Sequence, residues 1–322
     1  MGRSNSLTTL ISGGVNEPQL EQIRTAAPGA EITYVEDERS LMDRASGAEV
    51  IAVRPAQVTR ELLAEAARLR WLHIWSAGAD EVLDPIPELA DSPLLLTCSK
   101  SNGAIPLAEH AMLMMLMLNK GILRSVRAQD GKRWEQFQHG ELNGMTVGII
   151  GLGFSGADLA VKAQAFHMHV LGMRRSPLRP AGVDELFPRE RLPELMGRSD
   201  FVVVTAPKTP ETIGMLGEAE LRAMKRSAYF ICYSRGGIVD DAALLDALQE
   251  GWIAGAGIDA HGVEPLPPDS PFWTAPNTIV TPHNGASTPS TRQRAVAIFA
   301  ENLRRYLAEE QLTNVVDKVA GY

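Results

Sequence analysis

The stretch Val147-Gly-Ile-Ile-Gly-Leu-Gly-Phe-Ser-Gly156 decides the fold of this chain, because it joins an apolar strand pattern to three spaced glycines. The apolar run Thr146–Ile150 leads into Gly151-x-Gly153-x-x-Gly156, and a helical pattern follows at Ala157–Phe166. In such a motif the first glycine permits a tight turn, the second lets backbone approach a pyrophosphate, and the third lets the helix pack on the strand. Because the first N–H groups of that helix would face phosphate oxygens, the stretch predicts a dinucleotide-binding site.

The end of the next strand pattern indicates which dinucleotide fits. A site for NAD would place Asp or Glu about 20 residues further on, where it can hold the ribose 2′-hydroxyl. Here the strand pattern His169–Met173 ends in Arg174-Arg175-Ser176, and no acidic residue occurs between Asp158 and Asp184. Two guanidinium groups suit a 2′-phosphate. We therefore expect NADP(H) to be the preferred cofactor and NAD(H) to be possible.

Composition and charge exclude several classes of protein. A chain of 322 residues is long enough for about two domains, and its 45% hydrophobic and 22% charged residues are those of a globular protein. The net charge of −8 argues against a nucleic-acid or anionic-membrane binder, so local arginines must hold an anionic cofactor. The longest apolar segment, Ala111–Leu118, is too short to span a membrane.

The chain is expected to be cytoplasmic. Its two cysteines, Cys98 and Cys232, lack the spacing of a metal site and favour a reduced setting. The apolar run Leu7–Ile11 is too short for a signal peptide. The first six residues formally match an N-myristoylation pattern, which we interpret as a chance match.

Strand and helix patterns alternate along the chain, which is typical of parallel α/β sheets. In the first hundred residues strands are predicted at Leu7–Ile11, Glu31–Val35, Val50–Val53 and Trp71–Ile74, and helices at Pro18–Ala27 and Thr59–Ala67. From Thr146 onward strands are predicted at Thr146–Ile150, His169–Met173, Phe201–Thr205, Tyr229–Cys232, Gly255–Asp259 and Thr278–Val280. We predict an α/β protein with two Rossmann-like, doubly wound parallel-sheet domains and an active-site cleft between them.

Three helices complete this pattern. Ile105–Lys120 is apolar on almost every side and rich in methionine, so we expect it to be buried, either in the core or between two subunits. A polar connector, Arg124–Asn143, follows it. Asp241–Gln249 is a clear helix pattern, and Thr291–Ala308 is the last helix, which can return to pack on the first domain.

Three side chains with catalytic potential follow three successive strand patterns. These are Arg235 after Tyr229–Cys232, Glu264 after Gly255–Asp259, and His283 after Thr278–Val280. In open parallel sheets ligands bind beyond the carboxyl ends of the strands. The topology therefore places a cation, a carboxylate and an imidazole at the edge where the glycine loop would hold the cofactor.

These residues belong to ordered motifs that resemble the D-isomer-specific 2-hydroxyacid dehydrogenases. The motifs are Ser76-Ala-Gly-Ala-Asp80, Ser234-Arg-Gly-Gly-Ile-Val-Asp-Asp-Ala-Ala-Leu244, Gly255-Ala-Gly-Ile-Asp-Ala-His-Gly-Val-Glu-Pro265 and Phe272-Trp-x-x-Pro-Asn-x-x-x-Thr-Pro-His283. The resemblance covers nearly the whole chain. It implies that residues 1–103 and 287–322 form a substrate domain around an inserted dinucleotide-binding domain, residues 104–286.

The resemblance also implies roles for individual residues. His283 would be the general acid that protonates the substrate oxygen as hydride reaches the 2-oxo carbon. Glu264 would pair with its imidazole and favour the protonated form. Arg235 would bind the substrate carboxylate and polarise the carbonyl group. Substrate contacts are expected at Arg54, Ala77, Gly78, Arg235 and His283. Cofactor contacts are expected at Gly151, Gly153, Phe154, Ser155, Gly156, Arg174, Arg175, Ser176, Ala206, Pro207, Thr212, Tyr233, Ser234, Asp259 and Gly285.

The other histidines are expected to be inert. His167 and His169 make a poor zinc site without a third ligand, so we expect no metal ion. The remaining histidines, His73, His110, His139 and His261, have no evident partners in the sequence. Trp134, in the polar connector, could pack at a subunit interface or reach a neighbouring active site; we favour the interface, and we expect a homodimer.

The basic strand end after Met173 resembles the NADP-using glyoxylate and hydroxypyruvate reductases. The sequence thus predicts an oxidoreductase that transfers hydride from NADPH to a small 2-oxoacid and forms the D-2-hydroxyacid. Two alternatives stay open: a dehydrogenase for a larger 2-oxoacid, and a non-catalytic NAD(P)-sensing module of the same fold.

Overall fold

The computed structural model of this chain describes residues 7–322. The chain divides into two compact units. Unit 1 contains the residues up to Asn102 together with Thr288–Tyr322, and unit 2 is Gly103–Ser287. The segment that matches the N-myristoylation pattern lies outside the described residues.

Unit 1 is a five-stranded parallel sheet with the strand order β2-β1-β3-β4-β5. Its strands are β1 (Leu7–Ile11), β2 (Ala30–Tyr34), β3 (Val50–Val53), β4 (Trp71–Ile74) and β5 (Leu95–Cys98). Its helices are α1 (Glu17–Ala26), α2 (Glu38–Ala45), α3 (Arg60–Glu65), α4 (Asp80–Leu83) and α11 (Pro289–Leu307). The last helix packs against α1, so both ends of the chain contribute to this unit.

Unit 2 is a seven-stranded parallel sheet with the order β12-β11-β10-β9-β6-β7-β8. Its strands are β6 (Thr146–Ile150), β7 (His169–Met173), β8 (Glu185–Phe187), β9 (Phe201–Val204), β10 (Tyr229–Cys232), β11 (Gly255–Ile258) and β12 (Thr278–Val280). Its helices are α5 (Ala104–Asn119), α6 (Ile122–Asp130), α7 (Phe154–Ala165), α8 (Leu192–Arg198), α9 (Glu218–Ala223) and α10 (Asp241–Gln249). The strand order reverses its direction beside β6, which is where parallel sheets of this type bind ligands.

Six strands of unit 2 end level with one another. The paired residues run across the sheet as Met173, Ile150, Val204, Cys232, Ile258 and Val280. Each is the last residue of its strand, so the loops that follow all leave the sheet at one edge. This register brings the glycine loop and the predicted catalytic segments to the same side of unit 2.

Local sequence explains where several helices begin. Thr59 caps α3 by accepting a hydrogen bond from the Leu62 N–H. Asp240 caps α10 in the same way, accepting from the N–H groups of Ala242 and Ala243. A side-chain cap of this kind contributes about 1 kcal/mol to helix stability.

The core of unit 1 contains a histidine among aromatic rings. His73 is fully buried beside Trp71, Trp75 and Phe299. Its ring nitrogens lie 2.8 Å from the Thr97 hydroxyl and 3.2 Å from the Ser99 hydroxyl. Burial lowers the pKa of His73 to about 3, so this imidazole is neutral near physiological pH.

Two parallel-sheet α/β units confirm the predicted fold class, and the active-site cleft stays a prediction. The prediction of elements was incomplete. Part of the supposed polar connector forms α6, and the other elements that were not predicted are β5, β8, α2, α4, α8 and α9. Helix α5 is largely buried in unit 2, while Ile105 and Leu113 are about half exposed, so its burial between two subunits stays a prediction. Within residues 7–322, no helix is long and apolar enough to cross a membrane.

Candidate active site

The glycine loop adopts a shape that only small residues allow. Gly151 has a φ of 101°, a left-handed conformation that side chains other than glycine rarely adopt. A Cβ atom on Gly151 would lie 2.6 Å from the backbone nitrogen of Ala206. A Cβ atom on Gly156 would collide with the Gly151 carbonyl oxygen. These two glycines therefore serve the packing of the loop itself.

Gly153 is different, because within residues 7–322 no atom other than those of its chain neighbours lies within 4 Å of the position that its Cβ would take. Protein packing therefore does not require glycine there, whereas a ligand that approaches the backbone does. Gly153 is also the N-cap residue of α7, and no side chain caps this helix. Open space beside N–H groups that lack a side-chain partner fits the pyrophosphate of a dinucleotide.

The basic end of β7 is accessible. Arg174 donates from Nη1 to the Leu178 carbonyl at 3.3 Å, and the Ser176 hydroxyl accepts from the Leu178 N–H at 3.3 Å. Arg175 lies with Nη1 3.4 Å from a carboxylate oxygen of Glu211, and its side chain is 61% exposed. Ion pairs this exposed contribute about 1 kcal/mol or less, so an incoming phosphate can displace Glu211.

The other predicted cofactor residues follow neighbouring strand ends. Ala206 is buried against the glycine loop, and the Pro207 carbonyl accepts a hydrogen bond from the Thr212 hydroxyl at 2.7 Å. Tyr233 is buried at the end of β10, and burial raises its pKa well above the usual value. Ser234 follows it, half-buried. Phe154 and Ser155 lie in the first turn of α7, and Phe154 is exposed.

His283 and Glu264 form a direct pair. Nδ1 of His283 lies 2.8 Å from Oε2 of Glu264, and the side chains are 36% and 35% exposed. His283 has a φ of 50°, a conformation that costs a residue with a side chain about 1–3 kcal/mol and that clusters at functional sites. The carboxylate fixes the ring orientation, so Nε2 is the nitrogen that can exchange a proton with a ligand.

A buried carboxylate holds the segment on both sides of His283. Asp259 is 0% exposed and accepts hydrogen bonds from the Thr281 hydroxyl at 2.6 Å and from the N–H groups of Asn284 and Gly285 at 3.0 Å. Nε2 of His110 lies 3.2 Å from the same Thr281 hydroxyl. His110 is thus a hydrogen-bonded residue of the core, although nothing in the sequence indicated its partner. Contact between Asp259 or Gly285 and a cofactor stays a prediction.

Arg235 leaves the neighbouring strand end. It is half-buried, and its Nη1 donates to the Ser234 carbonyl at 3.0 Å. The paired residues Cys232, Ile258 and Val280 put the segments of Arg235, Glu264 and His283 on three adjacent strands, about 5 Å apart from strand to strand. The structure thus brings these three segments to one edge, and it pairs two of the three side chains directly.

Arg54, one of the predicted substrate contacts of unit 1, lies near a glycine turn after β1. Arg54 is exposed, and its Cγ lies 2.9 Å from the position of a Cβ on Gly13. Arg292 of α11 donates from Nη1 to the Gly13 carbonyl at 3.0 Å. Burial, and after it the charge of Arg54, lower the pKa of Arg292. Neither arginine forms an ion pair with a carboxylate of residues 7–322, so unit 1 presents two adjacent cations.

Ala77 and Gly78 also belong to unit 1. Ala77 is exposed after β4, and the Gly78 carbonyl accepts a hydrogen bond from the Ser76 hydroxyl at 2.9 Å. Sequence reasoning missed Arg292 and gave His261 no partner, although the His261 ring bonds the Thr281 carbonyl at 3.0 Å. Their partners are backbone carbonyls, which carry no sequence signal.

Comparison with known proteins identifies similar chains. A family model described as D-isomer specific 2-hydroxyacid dehydrogenase, NAD binding domain, matches residues 112–285. The chain is 32% identical over 270 residues to a glyoxylate reductase of Korarchaeum cryptofilum. This match covers 81% of this chain and 80% of that protein. The chain is also 32% identical over 283 residues to a D-3-phosphoglycerate dehydrogenase of Methanocaldococcus jannaschii. This match covers 86% of this chain and 53% of that protein. The chain therefore spans about half the length of this second relative.

A solved structure has a fold similar to that of this chain. The NADPH-dependent glyoxylate/hydroxypyruvate reductase of Sinorhizobium meliloti, in complex with NADP and sulfate, is similar with a TM-score of 0.83. The two chains are 29% identical, and the match covers 98% of this chain and 99% of that chain.

Proposed function

The chain belongs to the D-isomer-specific 2-hydroxyacid dehydrogenase family, and we propose that it reduces a small 2-oxoacid with NADPH to the D-2-hydroxyacid. The observation that carries this proposal is the pair His283–Glu264, joined at 2.8 Å on the sheet edge that also holds the glycine loop. An imidazole held by a carboxylate is a competent proton donor near neutral pH.

The bound nicotinamide cofactor supplies the hydride, and the protein residues handle the proton and the charge. Glu264 accepts a hydrogen bond from Nδ1 of His283 and holds the imidazole ring in a fixed orientation. Nε2 then delivers a proton to the oxygen of the substrate carbonyl. Arg235 binds the substrate carboxylate and stabilises the negative charge that develops on the carbonyl oxygen.

An anionic substrate is supported by unit 1 as well. We assign unit 1 to substrate binding and unit 2 to the dinucleotide. Arg54 and Arg292 are adjacent cations without a carboxylate partner in the described part of the chain. Arg292 is half-buried, and buried charges are normally paired, so Arg292 and the exposed Arg54 beside it are suited to an anion. Ala77 and Gly78 would add backbone N–H donors for the same substrate carboxylate.

NADPH is the preferred cofactor in this proposal. Arg174 and Arg175 are accessible at the end of β7, and charge-assisted bonds to a phosphate are stronger than bonds to a neutral hydroxyl. The structurally similar reductase of Sinorhizobium meliloti was solved with NADP. NADH would bind the same glycine loop without this contribution.

Glyoxylate and hydroxypyruvate are the first substrates to test. One relative is a glyoxylate reductase, and the similar solved structure is a glyoxylate/hydroxypyruvate reductase. A larger 2-oxoacid is the alternative within the same reaction. D-3-Phosphoglycerate dehydrogenase relatives make phosphohydroxypyruvate a necessary member of the test panel.

A homodimer in the cytoplasm completes the proposal. Trp134 is 92% exposed, and Ile105, Leu113, Ile122 and Val126 are exposed apolar side chains on α5 and α6. Such side chains are suited to contact with a second copy of the chain. Both cysteines are free and buried, which agrees with a reduced setting.

The test is a panel of 2-oxoacids followed by loss of NADPH absorbance. We expect turnover with glyoxylate and hydroxypyruvate, and D-glycerate from hydroxypyruvate. If the protein binds NADPH and turns over no 2-oxoacid, the catalytic proposal fails and the nucleotide-sensing alternative gains support. If kcat/KM is far higher for phosphohydroxypyruvate or a branched 2-oxoacid, the proposal of glyoxylate or hydroxypyruvate as the substrate is wrong. The proposed reaction, reduction of a 2-oxoacid, still stands.

A further inference from the structure

His261 lies between the two members of the proposed catalytic pair. Its backbone N–H donates to Oε1 of Glu264 at 2.8 Å, while the other carboxylate oxygen, Oε2, lies 2.8 Å from His283. Its ring nitrogen Nε2 lies 3.0 Å from the carbonyl of Thr281, two residues before His283. One residue therefore contacts the carboxylate and also the backbone segment that carries the imidazole.

The acceptor fixes the tautomer of the His261 ring. A carbonyl oxygen only accepts hydrogen bonds, so Nε2 carries the proton and donates it to Thr281. Nδ1 of the same ring is buried and has no hydrogen-bond partner among the described residues. The ring thus makes one directional hydrogen bond, and that bond ties the turn after β11 to the end of β12.

The turn that carries His261 is packed tightly from the other side. A Cβ atom on Gly236, the residue after Arg235, would collide with the His261 carbonyl oxygen. A Cβ atom on the next residue, Gly262, would collide with the half-buried carboxyl of Asp241, and burial raises the pKa of that carboxyl. The segments of Arg235, Glu264 and His283 therefore all meet at this turn.

We propose that His261 is a positioning residue for the reaction: through its Nε2–H bond to the Thr281 carbonyl it holds His283 in register with Glu264. The inference rests on the proposed function, because it assigns His283 the role of proton donor. His261 itself exchanges no proton with the substrate. Without the ring bond, the strand end and the turn can shift apart, and the Glu264–His283 hydrogen bond lengthens.

Three substitutions separate the hydrogen bond from the packing of the ring. His261→Phe keeps a ring of similar size and removes the donor. His261→Gln places an amide nitrogen at the same number of bonds from Cα as Nε2, whereas the amide of His261→Asn is one bond too short. His139→Phe, at an exposed histidine outside the site, is the matched control.

The readouts are kcat for glyoxylate, its pH profile and the KM for NADPH. Misplacement of catalytic groups by about 1 Å costs about 100-fold in rate, so we expect His261→Phe and His261→Asn to lower kcat about 10- to 100-fold. His261→Gln should stay within about threefold of wild type, and the KM for NADPH should change less than about twofold in all variants. The pH above which kcat falls should shift downward in His261→Phe, because the hydrogen bond between His283 and Glu264 lengthens. The other titratable side chains around this turn and the strand end it contacts are Asp241, Asp259 and His110, and none of them is changed in these variants.

A measurement without turnover separates this inference from the proposed function. 15N NMR of labelled histidines reports the protonated fraction of His283 at a fixed pH. We expect a lower fraction in His261→Phe and recovery in His261→Gln. If wild type reduces no 2-oxoacid but the NMR difference is present, the proposed function fails and the positioning role stands. The positioning role is overturned if His261→Phe has the same kcat and pH profile as wild type. It is also overturned if His261→Phe and His261→Gln lose kcat equally.

Discussion

Replacement of both Arg174 and Arg175 by alanine is expected to remove most of the preference for NADPH. The two side chains leave the end of β7, level with the glycine loop. Because these arginines would contact only the 2′-phosphate, their replacement should weaken the binding of NADPH and leave the binding of NADH unchanged. The effect should therefore lie in the KM for NADPH rather than in kcat.

The size of the effect follows from the exposure of these arginines. Charge-assisted hydrogen bonds contribute about 1.5–3 kcal/mol when they are shielded from water. Arg175 is 61% exposed and lies 3.4 Å from Glu211, so solvent screening and competition reduce its contribution to about 1 kcal/mol. Two such contributions give about 2 kcal/mol, or about a 30-fold rise in the KM for NADPH.

The assay compares kcat/KM for NADPH and NADH in wild type, in the double variant and in Arg179→Ala. Arg179 is a nearby exposed arginine that donates to the Asp184 carbonyl at 2.7 Å, so it is the matched control. Glu211→Gln should lower the KM for NADPH, because Arg175 loses a competing carboxylate. The reasoning is refuted if the double variant keeps the wild-type ratio of NADPH to NADH efficiency.

Three further predictions address the proton donor, the substrate site and the core. Glu264→Gln should shift the pH optimum of reduction downward, because the imidazolium of His283 loses its charged partner; an unchanged pH profile would remove Glu264 from the mechanism. Arg292→Met should raise the KM for glyoxylate about tenfold with the KM for NADPH unchanged, and equal changes in both would argue against a substrate role. His73 has a folded-state pKa of about 3 against an ordinary 6.5, so the unfolded chain binds the proton first as the pH falls. Stability is therefore complete above pH 6.5 and should decrease by about 2 kcal/mol between pH 7.5 and pH 5. Denaturant unfolding of His73→Asn at both pH values should show a smaller decrease, and an equal decrease would refute the assignment.

Much of unit 2 could be predicted because its signals are local. The glycine loop, the apolar strands and the capped helix α10 depend on residues close together in the chain, and the structure places them as predicted. Strand β8, Glu185–Phe187, was missed because an edge strand of three residues is too short to show a period. Helix α6 was not predicted because it has few apolar residues, and the polar and charged residues between them obscure the helical period.

In the candidate site, too, local sequence signals could be predicted and contacts between distant residues could not. Arg235, Glu264 and His283 could be placed at one edge because each follows a recognisable strand. The bonds that hold this edge could not be predicted. Asp259 bonds two backbone N–H groups, His261 bonds a carbonyl 20 residues away, and Arg292 bonds one 279 residues away. Backbone partners are the same at every residue, so only three-dimensional structure identifies them.

The most direct test of the central claim is NADPH oxidation with glyoxylate by wild type and by His283→Ala, with NADPH binding measured in both. Turnover by wild type, a loss of about 100- to 10,000-fold in kcat for the variant and equal NADPH affinity would support His283 as the proton donor. The claim is contradicted if His283→Ala turns over glyoxylate at a rate close to that of wild type.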